Sequence, residues 1–464
     1  MDGEGVREGT VVLHAAAAEA GSRLGRALGD GVALLGARRS SPSSLGRMIA
    51  DVSAPPALVE RHSSRLGPGA ARPEALAVLL RREEANLEWG APVIFRGLRD
   101  LARFASERGR SSIGIVRSDP MLLPDLQIGS WFDVRWPLRP LRRFAAATAP
   151  VWRFVAALVP FPQIIRLALD AAFWSGARSA ASRREWRRLT RSSYSALYYH
   201  RIAGELRAGQ ERMDISPARF DRQLRLLRRM RFTALSADEV LAFHESADVL
   251  LPRRSYVVTV DDGFLDAVEA LGRYLELRAQ VFVCTGAVGG RADWAGGERV
   301  AGWADLARLA ESGAAVGSHG ISHTDLTSLG ADALRHAVVE SRRELEHRMA
   351  GPTLILAYPH GRRNDVVRRA VEAAGFRAAY TTQPGRNAAG TSRYDLRRVG
   401  PKEWDTTLSF LWKVVTGELV PARWEQRLLA RARRRSRSRR SSAPRGGAEE
   451  GGRSTGARPP QGPP

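Results

Sequence analysis

An α/β fold is predicted for this chain of 464 residues: a distorted (β/α) barrel over residues 191–420, preceded by a mixed, partly helical N-terminal region and followed by a disordered basic tail. Three observations carry the prediction. Strand-like and helix-spaced segments alternate from Tyr256 to Thr382, as a parallel sheet with crossover helices requires. Within that stretch, apolar runs stop abruptly on polar residues and glycine, where the carboxyl ends of strands would lie. Beyond residue 420, periodicity gives way to arginine and then to glycine and proline, a composition that cannot bury a core.

Residues 1–125 are left unassigned. Thr10–Leu13 and Ser112–Val116 read as strand-like pieces among helical ones. The layout, running on to Phe173-Trp174-Ser175-Gly176, resembles the trailing half of a membrane-associated sugar transferase. No Asp-x-Asp at a strand end and no glycine-rich phosphate loop accompanies it, so a remnant without catalysis is expected. Asp2 and Glu4 stand where a signal peptide would carry basic residues before an apolar core. The expected location is therefore the cytoplasm or the cytoplasmic face of the membrane.

Residues 126–190 read as a helical linker. The stretch from Leu138 to Trp174 is apolar but interrupted by Pro150, Arg153, Pro160, Arg166 and Asp170, which argues against a spanning helix. Aromatic and arginine residues interleaved with Leu and Val suit a helix pair at a membrane interface, and equally a packed linker.

The barrel region holds the chemistry. Tyr256–Val260 reads as a strand that ends on Asp261-Asp262-Gly263. Two adjacent carboxylates at the end of a buried strand are costly unless a positive charge joins them, and a divalent metal would supply it. Gln280–Thr285 reads as the next strand, and Leu265–Leu277, Ala304–Ser312, Asp332–Met349 and Asp365–Ala374 as helices. Ser318-His319-Gly320-Ile321-Ser322-His323 offers two imidazoles, and Gly320 and Ser322 favour a loop there. One Asp and two His make an open ligand set for zinc or a similar ion. Leu354–Ala357 ends on Tyr358-Pro359-His360-Gly361, and Ala378–Thr382 is a further short strand. Taken singly, Asp-Asp-Gly is as well explained by a helix cap and His-x-x-x-His by a solvated face.

The order Thr-x-Asp-Asp-Gly, Ser-His-x-x-x-His, Tyr-Pro-x-Gly, with the lead-in Leu197-Tyr198-Tyr199-His200-Arg201-Ile202, resembles the polysaccharide deacetylase family, carbohydrate esterase family 4, over residues 194–402. The resemblance implies Asp262, His319 and His323 as metal ligands, with zinc the leading candidate. It implies Asp261 as general base and the backbone N–H of His360 as a donor to the oxyanion. The implied reaction removes an N-acetyl group from an amino sugar or glycan in envelope or exopolysaccharide metabolism. There are departures. Val260 replaces a usual Phe, and Ala357 stands where many members place an arginine that orients the base. The late Leu-x-His motif, whose His protonates the leaving amine, is replaced by Asp395-Leu396-Arg397-Arg398-Val399-Gly400, leaving His200 and His360 as candidate acids. A non-sugar amide hydrolase of the same superfamily, or a metal- or glycan-binding module with an impaired site, are the alternatives.

The charge of +23 carries less than it suggests. All but Lys402 and Lys413 of the 72 basic residues are arginine, as in a GC-rich coding bias. A local excess remains at 431–440, which reads first as a solvated tail; its functional reading is contact with an anionic membrane surface alongside 138–174, with nucleic acid the less favoured partner. The single cysteine, Cys284, excludes an intrachain disulfide and reads as a buried small hydrophobe.

Overall fold

The computed structural model describes residues 97–134, 138–204, 213–349 and 351–421 without interruption, the backbone of four strands nearer the N-terminus, and single helical residues at 75, 76, 79, 424, 426 and 427. The tail read as disordered lies outside the described residues from 428 onward, as does most of the unassigned region before 97. The four strands are β1 (Thr10–Ala18), β2 (Ile49–Ser53), β3 (Asn86–Trp89) and β4 (Val93–Phe95). They form a small mixed sheet in which β1 pairs antiparallel with β2 and parallel with β3 and β4.

Thr10–Leu13 thus falls in a strand, but Ser112–Val116 does not: it lies within helix α1 (Leu98–Ser118). The local β-branched residues are outweighed by a longer pattern. Leu101, Ala105, Arg108, Ser112 and Ile115 recur at helical spacing and are all buried. The 138–174 stretch is helical as expected, forming α2 (Arg139–Ala147), α3 (Ala149–Leu158) and α4 (Pro162–Ala180), with α5 (Arg183–Arg191) following. No described helix is long and apolar enough to cross a membrane.

Asp170 of α4, which interrupts the apolar stretch in sequence, has an internal role. Arg142 donates to both of its carboxylate oxygens at 3.1 and 2.9 Å, donates to the Ser130 and Trp131 carbonyls, and lies over the Trp131 and Trp174 rings. Helices α1 and α4 cross backbone to backbone. A Cβ on Gly176 would stand 1.9 Å from the Ser106 carbonyl oxygen, and one on Gly109 2.0 Å from that of Phe173. We therefore expect Gly176→Val to destabilise the fold by about 3 kcal/mol, since the helices must separate to admit it. Urea denaturation measures this, and an unchanged midpoint would mean that the helices do not cross there.

The barrel is built from β5 (Ser193–Tyr199), β9 (Ser255–Val260), β10 (Gln280–Val283), β13 (Ala315–Ser318), β14 (Ile355–Ala357) and β15 (Ala378–Tyr380), neighbours in that order and all parallel. Short strands β6 (Arg201–Ile202), β7 (Asp214–Ile215), β8 (Thr233–Ala234), β11 (Arg291–Ala292), β12 (Glu298–Arg299) and β16 (Asn387–Ala388) decorate the connections and edges. Closure comes from β17 (Arg398–Val399), which runs parallel to β5. Two residues earlier, Leu396 donates to the Ala379 carbonyl and accepts from the Thr381 N–H at 3.0 and 2.8 Å, so one segment joins the first and last strands.

Every residue of β9 is buried, as both faces of a central parallel strand must be. The crossover helices are α6 (Pro217–Arg229), α7 (Ala237–Glu245), α8 (Leu265–Leu271), α9 (Trp303–Glu311), α10 (Ala331–Met349) and α11 (Asp365–Ala373), with α12 (Thr407–Thr416) after the last strand. Starts are set by local chemistry: the Ser216 hydroxyl accepts from Arg219 N–H ahead of Pro217, and Ser236 forms a capping box with Glu239. The helix expected over Leu265–Leu277 stops at Leu271, where Gly272 ends it, and a separate short turn covers Leu275–Leu277. The hydrophobic cluster containing Trp131 and Trp174 runs on to Tyr194, Phe282 and Tyr380, so the N-terminal helices and the barrel share a core.

Candidate active site

Asp261 continues the β9 pairing, its N–H donating to the Tyr199 carbonyl at 2.9 Å. The chain then turns sharply through two left-handed residues, Asp262 at φ 67° and Gly263 at φ 65°. A non-glycine residue held there stores strain of about 1–3 kcal/mol, the kind found at functional sites. Gly263 has a second reason to be glycine, since a Cβ would meet Val283 Cγ1 at 2.5 Å. The turn leaves both aspartates buried side by side.

Two histidines face Asp262. His319 follows β13, and its Nδ1 lies 2.7 Å from the Ala357 carbonyl, which fixes Nδ1 as the protonated nitrogen and aims Nε2 into the site. His319 Nε2 and His323 Nε2 stand 3.7 and 3.4 Å from Asp262 Oδ1. His323 sits on the loop expected from Gly320 and Ser322, its ring stacked on Trp294 with centroids 5.2 Å apart. Burial, helped by His319 and His360, holds His323 down at about 3, and burial likewise lowers His319, so both imidazoles are neutral.

One potential ligand atom from each of Asp262, His319 and His323 lies within 4.8 Å of the others. Both Asp262 oxygens are buried without a hydrogen-bond partner; the Trp294 indole is near enough to favour the charged form but makes no well-formed bond to either. Burial and the neighbouring Asp261 push the Asp262 carboxyl up to about 7. An orphaned carboxylate between two neutral imidazoles is the donor set that a zinc-like cation satisfies, so the residues present fit a metal.

Asp261 is held differently. Arg398, fully buried, donates to its two oxygens at 2.6 and 2.8 Å. The guanidinium also donates to the Thr381 carbonyl and the Thr259 hydroxyl, and lies between the Tyr198 and Tyr380 rings. Burial alone would raise the Asp261 carboxyl, but Arg398 overcomes it and holds the group at about 2. The residue was missed in sequence because that segment drew attention only for the histidine it lacks. Its available signal was weak: Leu396-Arg397-Arg398-Val399 alternates too little to read as a strand, and only the following Gly400 resembles the ends of the other motifs. Ala357 contributes its carbonyl to His319 instead of an arginine to the base.

The two candidate acids occupy different positions. His200 follows β5, packs edge-on to Tyr198 and is within electrostatic reach of Asp261; burial depresses it to about 4. His360 is exposed at φ 58°, its Nε2 3.2 Å from the His323 carbonyl and its ring edge-on to His323. Gly361 follows at φ 70°, where a Cβ would strike the Thr382 hydroxyl at 2.1 Å. Among the histidines outside the site, His244 is buried against the Tyr194 hydroxyl, while His336 and His347 are exposed on α10. Cys284 is buried, as expected.

An aspartate pair with its second member in a strained turn, two imidazoles and a buried arginine meet at the carboxyl end of the parallel barrel, a candidate hydrolase site. Residues 249–379, from just before β9 into β15, match the family model for polysaccharide deacetylase. The match includes Asp261, Asp262, His319, His323 and His360 but neither His200 nor Arg398. The chain is similar to the Bacillus subtilis (strain 168) protein YxkH, whose name assigns it to the polysaccharide deacetylases, at 26% identity over 147 residues, 31% of this chain and 50% of that one. It thus spans about half the length of that curated relative. Among solved structures it is similar to the Streptococcus pyogenes deacetylase PplD in complex with acetate (21% identity, 48% of this chain and 97% of that chain, TM-score 0.42). It is also similar to IcaB from Ammonifex degensii (22% identity, 47% and 94%, TM-score 0.41).

Proposed function

We propose that this protein is a metal-dependent hydrolase that removes N-acetyl groups from an amino sugar of a glycan in envelope or exopolysaccharide metabolism. The observation that carries the reading is the division of labour between adjacent carboxylates: Asp262 buried and unpartnered between two imidazoles, Asp261 kept anionic by Arg398. Asp262, His319 and His323 would hold the metal, which when bound supplies Lewis-acid activation of water and of the acetyl carbonyl. A carboxylate held near 2 is a weak base, so Asp261 suits the acceptance of a proton only from water that is already acidified. With Arg398 on both oxygens, Asp261 retains further lone pairs for that proton. The His360 N–H stabilises charge on the acetyl oxygen as water adds. Collapse of the tetrahedral adduct breaks the C–N bond, releasing acetate and the free amine.

The leaving nitrogen needs a proton, and of the two candidates we assign its delivery to His200, which at about 4 is neutral at rest and must first take up the proton that Asp261 accepts from water. His360 has its Nε2 against the His323 carbonyl and lies at the exposed rim, whereas His200 is within electrostatic reach of the base. The test is acetate release by the full-length protein from N-acetylated oligosaccharides, metal-replete against chelated. We expect metal-dependent release, lost in Asp261→Asn. His200→Gln should slow amide hydrolysis by about 10²-fold or more yet spare 4-nitrophenyl acetate, whose leaving group needs no proton. Equal losses on both substrates would reject His200 as the acid. Metal bound in stoichiometric amount with no release from any acetylated saccharide would favour a binding module, and turnover confined to small non-sugar amides would favour the other hydrolase reading.

A further inference from the structure

Helix α3 is packed the wrong way round for a helix that faces only water. Its large residues Val151, Phe154 and Leu158, continued by Phe161, fall at spacings of three, four and three, which is one stripe. All four are exposed, at 56, 65, 60 and 64%. The side turned to the protein carries mostly small residues beside the half-buried Trp152: Ala149 packs with Ala145 and Ala171, and Ala156 is buried. Phe144 on α2 is likewise 58% exposed. A stripe of this size on a stable core needs a partner.

Charge identifies its kind. Between Asp133 and Asp170 the chain has no acidic residue and six arginines. Arg142 is spent internally, but Arg153 and Arg166 are exposed on α3 and α4. A second apolar surface adjoins: Arg139 at the start of α2 is within electrostatic reach of Glu418 just past α12, where Val415 and Leu419 are more than half exposed. In sequence, the seven arginines of 431–440 begin eleven residues beyond Val420. Apolar stripes bordered by an excess of arginine, with Asp133 and Glu418 the acidic groups near Arg139, carry the two signals that anionic bilayers read, one partitioning below the headgroups and the other pairing with them.

We propose that the α2–α3 face docks on an anionic lipid bilayer surface, lying in the interface rather than crossing it. A second copy fits less well, because a two-fold contact would press an arginine-only segment against itself. Nucleic acid would use the arginines but has no use for the exposed phenylalanines. The proposal is independent of whether the barrel turns over substrate.

Flotation of the full-length protein with vesicles tests it, comparing phosphatidylglycerol–phosphatidylcholine with phosphatidylcholine alone. We expect binding to the anionic vesicles that Phe154→Glu with Leu158→Glu weakens by about tenfold or more, the scale of two exposed apolar side chains withdrawn from lipid. Both positions are exposed, so folding is expected to survive, and circular dichroism checks it. Replacing Arg433, Arg434 and Arg435 by Gln should weaken binding further in the double variant. Absence of vesicle binding would overturn the proposal, as would unchanged binding by the double variant. A double variant that only dissociates a dimer in sedimentation would overturn it in favour of self-association.

Discussion

Arg398→Leu should cost the protein both its activity and much of its stability. Removing the guanidinium leaves Asp261 buried beside Asp262 with no counter-charge, and breaking a buried pair from one side typically costs about 3–5 kcal/mol. The surviving Asp261 takes up a proton more readily, and in the base role proposed for it this should lower acetate release by about 10²-fold or more. A double variant separates the two consequences. Arg398→Leu with Asp261→Asn removes the stranded charge, so it should denature at a higher urea concentration than Arg398→Leu alone while remaining inactive. If the double variant is no more stable than the single one, the arginine matters for packing between Tyr198 and Tyr380 rather than for the charge of Asp261.

Chelation is expected to have the next largest effect, read as thermal stability rather than turnover. A cation at saturating concentration, about 100 times its Kd, adds roughly 2.7 kcal/mol to the folded state. Wild-type melting temperature should therefore fall by several degrees when metal is withdrawn. Asp262→Ala should show no such fall, and metal-free Asp262→Ala should melt above metal-free wild type, since it no longer buries a carboxylate whose oxygens lack partners. A chelator-independent melting temperature in wild type would mean that the Asp262, His319 and His323 cluster holds no metal of consequence.

What was legible in the sequence, and what was not, follows the range of the interactions involved. The Asp261-Asp262-Gly263, His319 to His323 and Pro359-His360-Gly361 segments are local: each is a strand end, a turn and a side chain written within a few residues. Arg398 depends on a partner 137 residues away, and a single sequence does not show that pairing. Ser112–Val116 failed for a related reason, since β-branched residues in a window of five point to a strand while the helical pattern extends over all of α1. The stretch from 138 to 174 was readable as helical, but the internal use of Arg142 and Asp170 depends on the fold of Trp131 and Trp174 around them.

The segment that closes the barrel also carries the arginine that pairs with Asp261, and this sets an order of events during synthesis. Asp261 leaves the ribosome well before Arg398; at 5–20 residues per second the interval is on the order of ten seconds. Throughout it, the nascent sheet has an open edge at β5 and β15 and a carboxylate pair without its cation. The barrel can therefore seal and its chemistry become available only in one late step, when 396–399 arrives. A ribosome paused between these points would hold an intermediate with exposed strand edges, the kind of chain that chaperones are expected to bind.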